Sequence, residues 1–351
     1  MNSTVYFATN RQRSGDGTQP GHYAGEADEA GLPGSVTHGM AFIEATDLPR
    51  LASGRLSSIQ GVEADDFGAA VQDDLTSGRN LLIFIHGFAN SFTDSITRAA
   101  FNREFLAASG IAAADCSVVS FSWPSRGLAV DPKDIIGGLA MGPLTFGLKI
   151  LGITASPFAK AYLDDQKAAA ASAADIVSFL DRLRPAITKV RRRGGRVFLL
   201  AHSMGNWALE NALNLWAKGG GLPRSTLFDE AISASADSPF EEMGQGPLWL
   251  PQLGRISGRV SLYHSAGDHI LRLSQVVNNI QRLGRSGPSD RTDLTRYPKE
   301  SWRFVDCEKL QDDGPGLTLD SSHQFYRRIP AVRDDMARVM SGKGAGGRVV
   351  L

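Results

Sequence analysis

The sequence lacks an excess of either charge, and this removes one class of partner. Its 351 residues include 37 Lys and Arg and 37 Asp and Glu, so the formal net charge is zero. Proteins that bind nucleic acid need a surplus of cations to neutralise phosphates. The basic run Arg191–Arg193 ends a helical pattern, where cations are favoured by the helix dipole. We therefore expect no nucleic-acid partner.

Cysteine is also scarce, since the chain contains only Cys116 and Cys307. Two cysteines so far apart provide neither a disulfide framework nor the paired spacing of a metal site. The first residues show no basic segment followed by an apolar stretch, which a secretory signal would require. These features favour a cytoplasmic protein without a cofactor or a structural metal.

A long uninterrupted apolar run is missing as well. A membrane-spanning helix needs about 20 consecutive apolar residues. Residues 135–153 have that length but contain Pro143, Lys149 and five glycines. We therefore interpret residues 127–160 as an apolar insertion that forms a lid or a pocket wall, with contact to a membrane surface left open. A second, smaller insertion is predicted at 239–257, and for both an ordinary capping element is the alternative.

Short apolar runs typical of strands alternate with helical patterns along the chain. This alternation indicates a mostly parallel sheet covered by helices, in a single α/β domain that spans residues 1–351. Only the tail, 341–351, is predicted to be loosely held. The predicted strands are 4–8, 39–44, 81–85, 117–122, 196–201, 230–234, 259–264 and 302–306, and the predicted helices are 91–108, 168–192, 205–218, 270–283 and 324–340.

One predicted strand runs directly into a helix, with a serine at the turn. A turn this tight holds its central residue, Ser203, in a strained backbone conformation and needs small residues two positions before and after it. Ala201 and Gly205 occupy those positions. The pattern Ala-x-Ser-x-Gly therefore differs by one residue from the nucleophile elbow Gly-x-Ser-x-Gly. A serine that merely caps a helix is the alternative interpretation.

A serine hydroxyl becomes a nucleophile only when a base takes its proton, and an acid must orient that base. In a fold with such an elbow, the acid and then the base follow the serine in loops after later strands. His323 follows the last predicted strand and is the predicted base, with a helix cap as the alternative. Two acids follow earlier strands. We favour Asp268, because Gly267 permits a tight turn, and leave a supporting role to Asp237.

Acyl transfer also needs donors for the negative charge that develops on the substrate oxygen. One donor would be the backbone N–H of Met204, directly after the serine. The second would be the N–H of Phe88, in a loop where Gly87 lets the backbone approach closely. His86 is then predicted to position this loop by bonding to nearby backbone. A metal site at His86 and His202 is rejected because a third ligand is missing.

Five stretches spread over nearly the whole chain match a known family. They are Val5-Tyr-Phe-Ala-Thr-Asn-Arg11, Phe84-Ile-His-Gly-Phe-Ala-Asn-Ser-Phe92, Phe121-Ser-Trp-Pro-Ser-Arg126, Leu200-Ala-His-Ser-Met-Gly-Asn206 and Leu262-Tyr-His-Ser-Ala-Gly-Asp268. Together they resemble an α/β-hydrolase, and more narrowly the bacterial family of α/β-hydrolases known as domain of unknown function 900. The resemblance implies a serine hydrolase whose nucleophile matches Ser203, and a loop at Trp123 and Pro124 that borders the pocket. Ala201 in place of the first elbow glycine is a mild departure, whereas the insertion after Arg126 is a large one.

These observations combine into one expectation for fold and function. We expect an α/β-hydrolase fold with an eight-stranded, mostly parallel sheet and an apolar lid-like insertion. The activity expected is hydrolysis of a small carboxylic ester, and the insertion favours an apolar acyl or aryl group in the substrate. The alternative is a non-catalytic scaffold of the same fold that binds a lipid or a protein through its apolar insertions.

Overall fold

The computed structural model describes residues 2–24, 33–45, 54–74, 80–126, 157–310 and 322–351. Most of the apolar insertion predicted at 127–160 lies outside the described residues, which resume at the helix Pro157–Ala171.

Ten strands of the described residues form one sheet. In chain order they are β1 (Asn2–Thr9), β2 (Thr37–Ala45), β3 (Gly54–Val62), β4 (Asn80–Ile85), β5 (Cys116–Ser122), β6 (Val197–His202), β7 (Glu230–Ala234), β8 (Val260–His264), β9 (Trp302–Asp306) and β10 (Gly347–Val350). Across the sheet the order is β10-β9-β8-β7-β6-β4-β5-β1-β2-β3. Only β2 pairs antiparallel, with β1 and with β3, and the other pairs are parallel. The predicted α/β fold with a mostly parallel sheet is confirmed.

Helices cover both faces of this sheet. Those of the described residues are α1 (Phe67–Asp74), α2 (Phe92–Ala107), α3 (Pro157–Ala171), α4 (Ala173–Arg192), α5 (Met204–Lys218), α6 (Leu250–Arg255), α7 (His269–Asn278), α8 (Leu283–Ser286) and α9 (Pro330–Met340). The core beneath α2 and α9 lies on one face, and the core beneath α1, α3, α4 and α5 lies on the other. No described helix combines the length and apolar character that crossing a membrane requires.

The central strands are largely apolar because both of their faces are covered. In β4, Leu81, Ile83 and Ile85 face one core, whereas Leu82 and Phe84 face the other. Strand β6 alternates in the same way and is buried along its whole length. Continuous apolar runs are therefore the expected sequence of these strands. Their carboxyl ends meet at one edge of the sheet, which is where open α/β sheets build their sites.

The structure corrects the prediction at the two margins of the sheet. Strand β3 was not predicted, because its sequence is largely polar, and it is held by antiparallel pairing with β2. The tail at 341–351 is not loosely held, since β10 pairs in parallel with β9 and the Leu351 N–H donates to the Asp306 carbonyl over 3.0 Å. Both strands depend on backbone hydrogen bonds to a neighbouring edge, which the sequence pattern does not reveal.

The helix predicted at 168–192 is also divided. Helix α3 begins earlier in the chain and ends at Ala171, and α4 starts after Ser172. Within the smaller insertion, 239–257, the side chains of Trp249, Leu250 and Leu253 are buried in the core, which favours a capping element there.

Candidate active site

Ser203 lies in a strained turn between β6 and α5. Its φ of 53° and ψ of −126° fall outside the region that a residue with a side chain normally adopts. Ala89 and Ser235 also have positive φ, at 56° and 45°, and lie just beyond the carboxyl ends of β4 and β7. The three strained residues therefore follow three adjacent strands. Strain of this kind persists only where the surrounding structure enforces it, and it concentrates at functional sites.

A set of hydrogen bonds enforces the turn. The Ser203 N–H donates to the Ala234 carbonyl over 3.0 Å, and the Asp237 N–H donates to the Ser203 carbonyl over 3.1 Å. The side-chain amide of Asn206 donates to the Ala201 carbonyl over 3.0 Å and is itself held by the Ser233 hydroxyl, 2.7 Å from its oxygen. The serine is thus fixed from the neighbouring strand and from its own helix.

Two glycines allow the backbone to come close to this turn. A Cβ at Gly205 would lie 2.5 Å from the carbonyl oxygens of both Ile85 and His86. A Cβ at Gly87 would lie 2.8 Å from the Cβ of Ser203. The loop after β4 therefore packs directly against the serine. The sequence pattern requires a small residue two positions after the serine because the carbonyl groups of Ile85 and His86 leave no space for a side chain there.

We expect Gly205→Ala to destabilise the protein. Forcing a methyl group against two backbone oxygens costs about 1–3 kcal/mol or more. The better helix propensity of alanine returns at most about 1 kcal/mol. Urea denaturation should therefore show a lower free energy of unfolding.

The matched control for this prediction is Gly219→Ala at the other end of α5. Gly219 has a φ of −75°, and a Cβ there would lie 3.5 Å from the nearest atom, the Leu215 carbonyl oxygen. Its free energy of unfolding should stay within about 0.5 kcal/mol of the wild type. Equal behaviour of the two variants would show that close packing at Gly205 does not constrain the turn.

His323 and Asp268 form a buried pair. The His323 Nδ1 lies 2.7 Å from the Asp268 Oδ2, and both side chains are almost inaccessible to solvent. The other carboxylate oxygen, Oδ1, accepts the Leu271 N–H over 2.9 Å and so caps α7. Because the carboxylate accepts the Nδ1 proton, the Nε2 nitrogen is left as the basic one. The pair therefore has the tautomer that general-base chemistry needs.

The backbone of His323 is held beside the serine turn. The ring of His202, the residue before Ser203, lies 4.8 Å from the His323 ring between centroids. The His202 Nε2 and the Ser235 hydroxyl both donate to the His323 carbonyl over 3.3 Å. The His202 ring also stacks on Tyr326 at 4.4 Å. Ser235 and Tyr326 were not foreseen, although Ser235 directly follows a predicted strand.

Asp237, the second candidate acid, belongs to a separate buried network. Its carboxylate pairs with the Arg282 guanidinium at 3.3 Å and accepts the Tyr162 hydroxyl over 2.9 Å and the Ser274 hydroxyl in a very short hydrogen bond. The Tyr162 and Ser274 hydroxyls are also 2.8 Å apart. The Asp237 side chain therefore compensates a buried cation, and its backbone N–H supports Ser203.

The loop after β4 is held by polar and aromatic contacts. The His86 Nδ1 donates to the Gly87 carbonyl over 2.9 Å, and its ring stacks on Trp123 at 4.9 Å. The Trp123 Nε1 donates in turn to the His86 carbonyl over 2.8 Å. The side-chain amide of Asn90 donates to the carbonyls of Gly87 and Phe88 over 2.9 and 2.8 Å.

These contacts decide which way one N–H group points. In a trans peptide the carbonyl and the following N–H point in opposite directions, and the described residues contain no cis peptide bond. Because the Gly87 carbonyl faces His86 and Asn90, the Phe88 N–H points away from both side chains. The Phe88 ring is half-buried, and Met204 is the buried first residue of α5.

The other two histidines of the site are kept neutral. Burial lowers the pKa of His86 well below its usual value, and it does the same to the pKa of His202. Both therefore act near neutral pH through hydrogen bonds and ring packing. Among the described residues, no group of three or more His, Cys, Asp or Glu side chains is arranged to hold a metal ion.

The family of the chain is shown by a comparison with protein families. A family model described as alpha/beta hydrolase of unknown function (DUF900) matches residues 63–338, which is more than half of the 351 residues. The matched region begins before β4 and includes Gly87, Ser203, Asp268 and His323. Among curated proteins, none matches the chain at a significant level.

Proposed function

The chain belongs to this family of α/β-hydrolases, and on that premise we propose that it is a serine hydrolase of carboxylic esters. The observation that carries the proposal is the buried pair of His323 and Asp268, with 2.7 Å between Nδ1 and Oδ2, beside the strained turn at Ser203. A strained serine, an oriented imidazole and a buried carboxylate are the three parts of a nucleophilic triad.

In the proposed reaction the Ser203 hydroxyl attacks the acyl carbon of the ester, and the His323 Nε2 takes the hydroxyl proton. The tetrahedral intermediate collapses, and His323 returns that proton to the leaving alcohol while the acyl group stays on the serine. A water molecule then attacks the acyl-enzyme with His323 again as base, which releases the acid and restores the hydroxyl. Asp268 holds the tautomer and stabilises the imidazolium throughout.

The backbone N–H groups of Phe88 and Met204 are the proposed donors to the oxyanion. Met204 is the first residue of α5, where the helix dipole favours negative charge. The Phe88 N–H is oriented by the two bonds to the Gly87 carbonyl, in a loop that packs against Ser203. Donors oriented in this way before the reaction are often the largest single contribution to catalysis.

An ester with an apolar acyl or aryl group is the proposed substrate class. The apolar sequence of 127–160 and the half-buried Phe88 ring support this choice. Apolar pockets with a few convergent polar groups are the usual form of sites for such ligands. A profile of turnover across p-nitrophenyl esters of increasing acyl length should therefore rise with chain length, and a flat profile would contradict the assignment.

Covalent labelling tests the nucleophile directly. A fluorophosphonate probe reacts only with a serine that is activated by a base, so we expect the wild type to be labelled and the label to map to Ser203 by mass spectrometry. Ser203→Ala should not react, and Ser57→Ala, which alters an exposed serine on the distant edge strand β3, should still be labelled at Ser203. If the wild type does not react, the result favours a non-catalytic scaffold; if Ser203→Ala still reacts, Ser203 is not the nucleophile.

A further inference from the structure

Helix α3 carries two buried polar side chains one turn apart. Tyr162 reaches the Asp237 network, whereas Asp165 lies one turn later and is only 1% exposed. A carboxylate is rarely buried to this extent unless it is paired or hydrogen-bonded. The hydrogen-bond partners of Asp165 therefore indicate which part of the structure it stabilises.

The carboxylate of Asp165 joins two loops of the candidate active site. Its Oδ1 accepts the Arg126 N–H over 2.9 Å, in the loop after β5. Its Oδ2 accepts the Ser125 hydroxyl in a very short hydrogen bond and the Ala89 N–H over 3.4 Å, in the loop after β4. One side chain from α3 thus binds both the loop that carries Trp123 and the loop that carries Phe88.

Ser125 extends this connection by one residue. Its hydroxyl oxygen accepts the Asn90 N–H over 3.1 Å while the hydroxyl donates to Asp165. Two hydrogen bonds therefore hold Ala89 at its positive φ. Asp165 accepts the Ala89 N–H, and Ser125 accepts the N–H of the next residue, Asn90. Phe88, the proposed oxyanion donor, directly precedes these two residues.

A buried arginine supplies the opposite charge. The Arg11 guanidinium donates to the Ser125 carbonyl over 2.7 Å and to the Asn90 carbonyl over 2.8 Å. Burial raises the pKa of Asp165 to about 6, although the hydrogen bonds from Ser125 and Arg126 act in the opposite direction. Donors that favour the charged form thus counteract burial of the carboxylate.

We propose that Asp165 is a positioning residue that holds the Ala89–Asn90 backbone, and with it the Phe88 N–H, in place against Ser203. The inference rests on the proposed serine hydrolase function and names a part of that site that no sequence motif indicates. Asp165 acts through the loop and does not touch the substrate. Its loss should therefore weaken binding of the transition state more than binding of the ester.

The test compares Asp165→Asn with Asp164→Asn. Both carboxylate oxygens of Asp165 accept hydrogen bonds. Asparagine has the same shape, but it replaces one of these acceptors by an amide donor, so the loops after β4 and β5 should shift. A displacement of about 1 Å at a reacting centre costs about 100-fold in rate, and we expect kcat for a p-nitrophenyl ester to fall by about 10- to 100-fold. KM should change by less than about threefold. The affinity for a trifluoromethyl ketone that mimics the tetrahedral intermediate should fall in parallel with kcat.

Asp164 is the matched control because it is the neighbouring acid on the same helix. Its ion pairs with described residues are long, with Arg126 at 3.8 Å and Lys167 at 4.0 Å, and its side chain is partly exposed. Such pairs contribute little, so Asp164→Asn should keep kcat within about twofold of the wild type. A comparable loss of kcat in both variants would overturn the assignment to Asp165.

A second variant keeps the test valid if Asp165→Asn fails to fold. Ser125→Ala removes only the hydroxyl bridge and should also lower kcat with little change in KM. In the double variant the two losses should add incompletely, because both single variants disturb the hydrogen bond from the Ser125 hydroxyl to Asp165, through which Asp165 reaches the Asn90 N–H. Suppose that wild-type turnover depends on Ser203. If Asp165→Asn folds and keeps the wild-type kcat, the inference on Asp165 alone is wrong. If Asp165→Asn does not fold, an unchanged kcat in Ser125→Ala contradicts the inference in the same way. If the wild type turns over no ester, the proposed function fails with it.

Discussion

Replacing His323 by alanine should lower kcat by about a millionfold, which is the loss expected when the base of a serine triad is removed. Without the imidazole nothing takes the Ser203 proton, and nothing protonates the leaving alcohol. The measurement is turnover of a p-nitrophenyl ester under saturating conditions. The thermal unfolding midpoint, followed in parallel, should show that the variant is folded.

His269→Ala is the matched control for this variant. His269 is exposed and is the first residue of α7, next to Asp268 in the chain. Its backbone N–H, which the substitution leaves in place, makes the hydrogen bond to the Ser322 hydroxyl. We expect kcat of His269→Ala to stay near that of the wild type. If His323→Ala retained most of its activity while His269→Ala lost it, the base would have to be reassigned.

Asp268→Asn should lower kcat by about 10⁴-fold. An asparagine amide facing His323 Nδ1 favours the wrong tautomer, with the proton on Nε2, so Nε2 can no longer act as a base. Asparagine is as good a helix N-cap as aspartate, so the bond from the Leu271 N–H that caps α7 can be kept. The loss should therefore appear in turnover rather than in the free energy of unfolding.

Asp237→Asn should behave in the opposite way. It leaves the buried Arg282 guanidinium without its counter-ion, and breaking a buried pair by removing one partner costs about 3–5 kcal/mol. Its backbone N–H, which supports the Ser203 carbonyl, is unchanged. Urea denaturation should therefore show a larger loss of stability than in Asp268→Asn, together with a smaller loss of kcat. The reverse pattern would make Asp237 the acid of the triad.

The candidate nucleophile could be recognised from the sequence because its environment is built from neighbours in the chain. The buried strand before Ser203 is apolar from Val197 to Ala201, and Gly205 follows two residues after the serine. The strand must be apolar because it is buried on both faces of the sheet. Residue 205 must be small because the carbonyl groups of Ile85 and His86 lie next to it. The same reasoning explains why the interior strands were predicted correctly while β3 and β10 were missed, since those edge strands depend on a partner.

The sequence favours Asp268 over Asp237 through the adjacent Gly267 but does not show which acid meets His323. Asp237 and Asp268 both follow buried strands, and either could in principle reach His323. The structure brings His323 to Asp268 across 55 positions of the chain and pairs Arg282 with Asp237. Both contacts depend on how distant loops pack, and no local pattern encodes that packing.

The contacts of Asp165 were even harder to predict from the sequence. It lies in an alanine-rich helix beyond the apolar insertion, 40 positions from Ser125, and no motif indicates its role. The fold class, the interior strands and the residue types of a hydrolase site can be read from the sequence, because they follow from local burial and turn sterics. The pairing of the charged groups cannot be read from it, because the partner of a buried charge lies on an element that is close in space and far away in the chain.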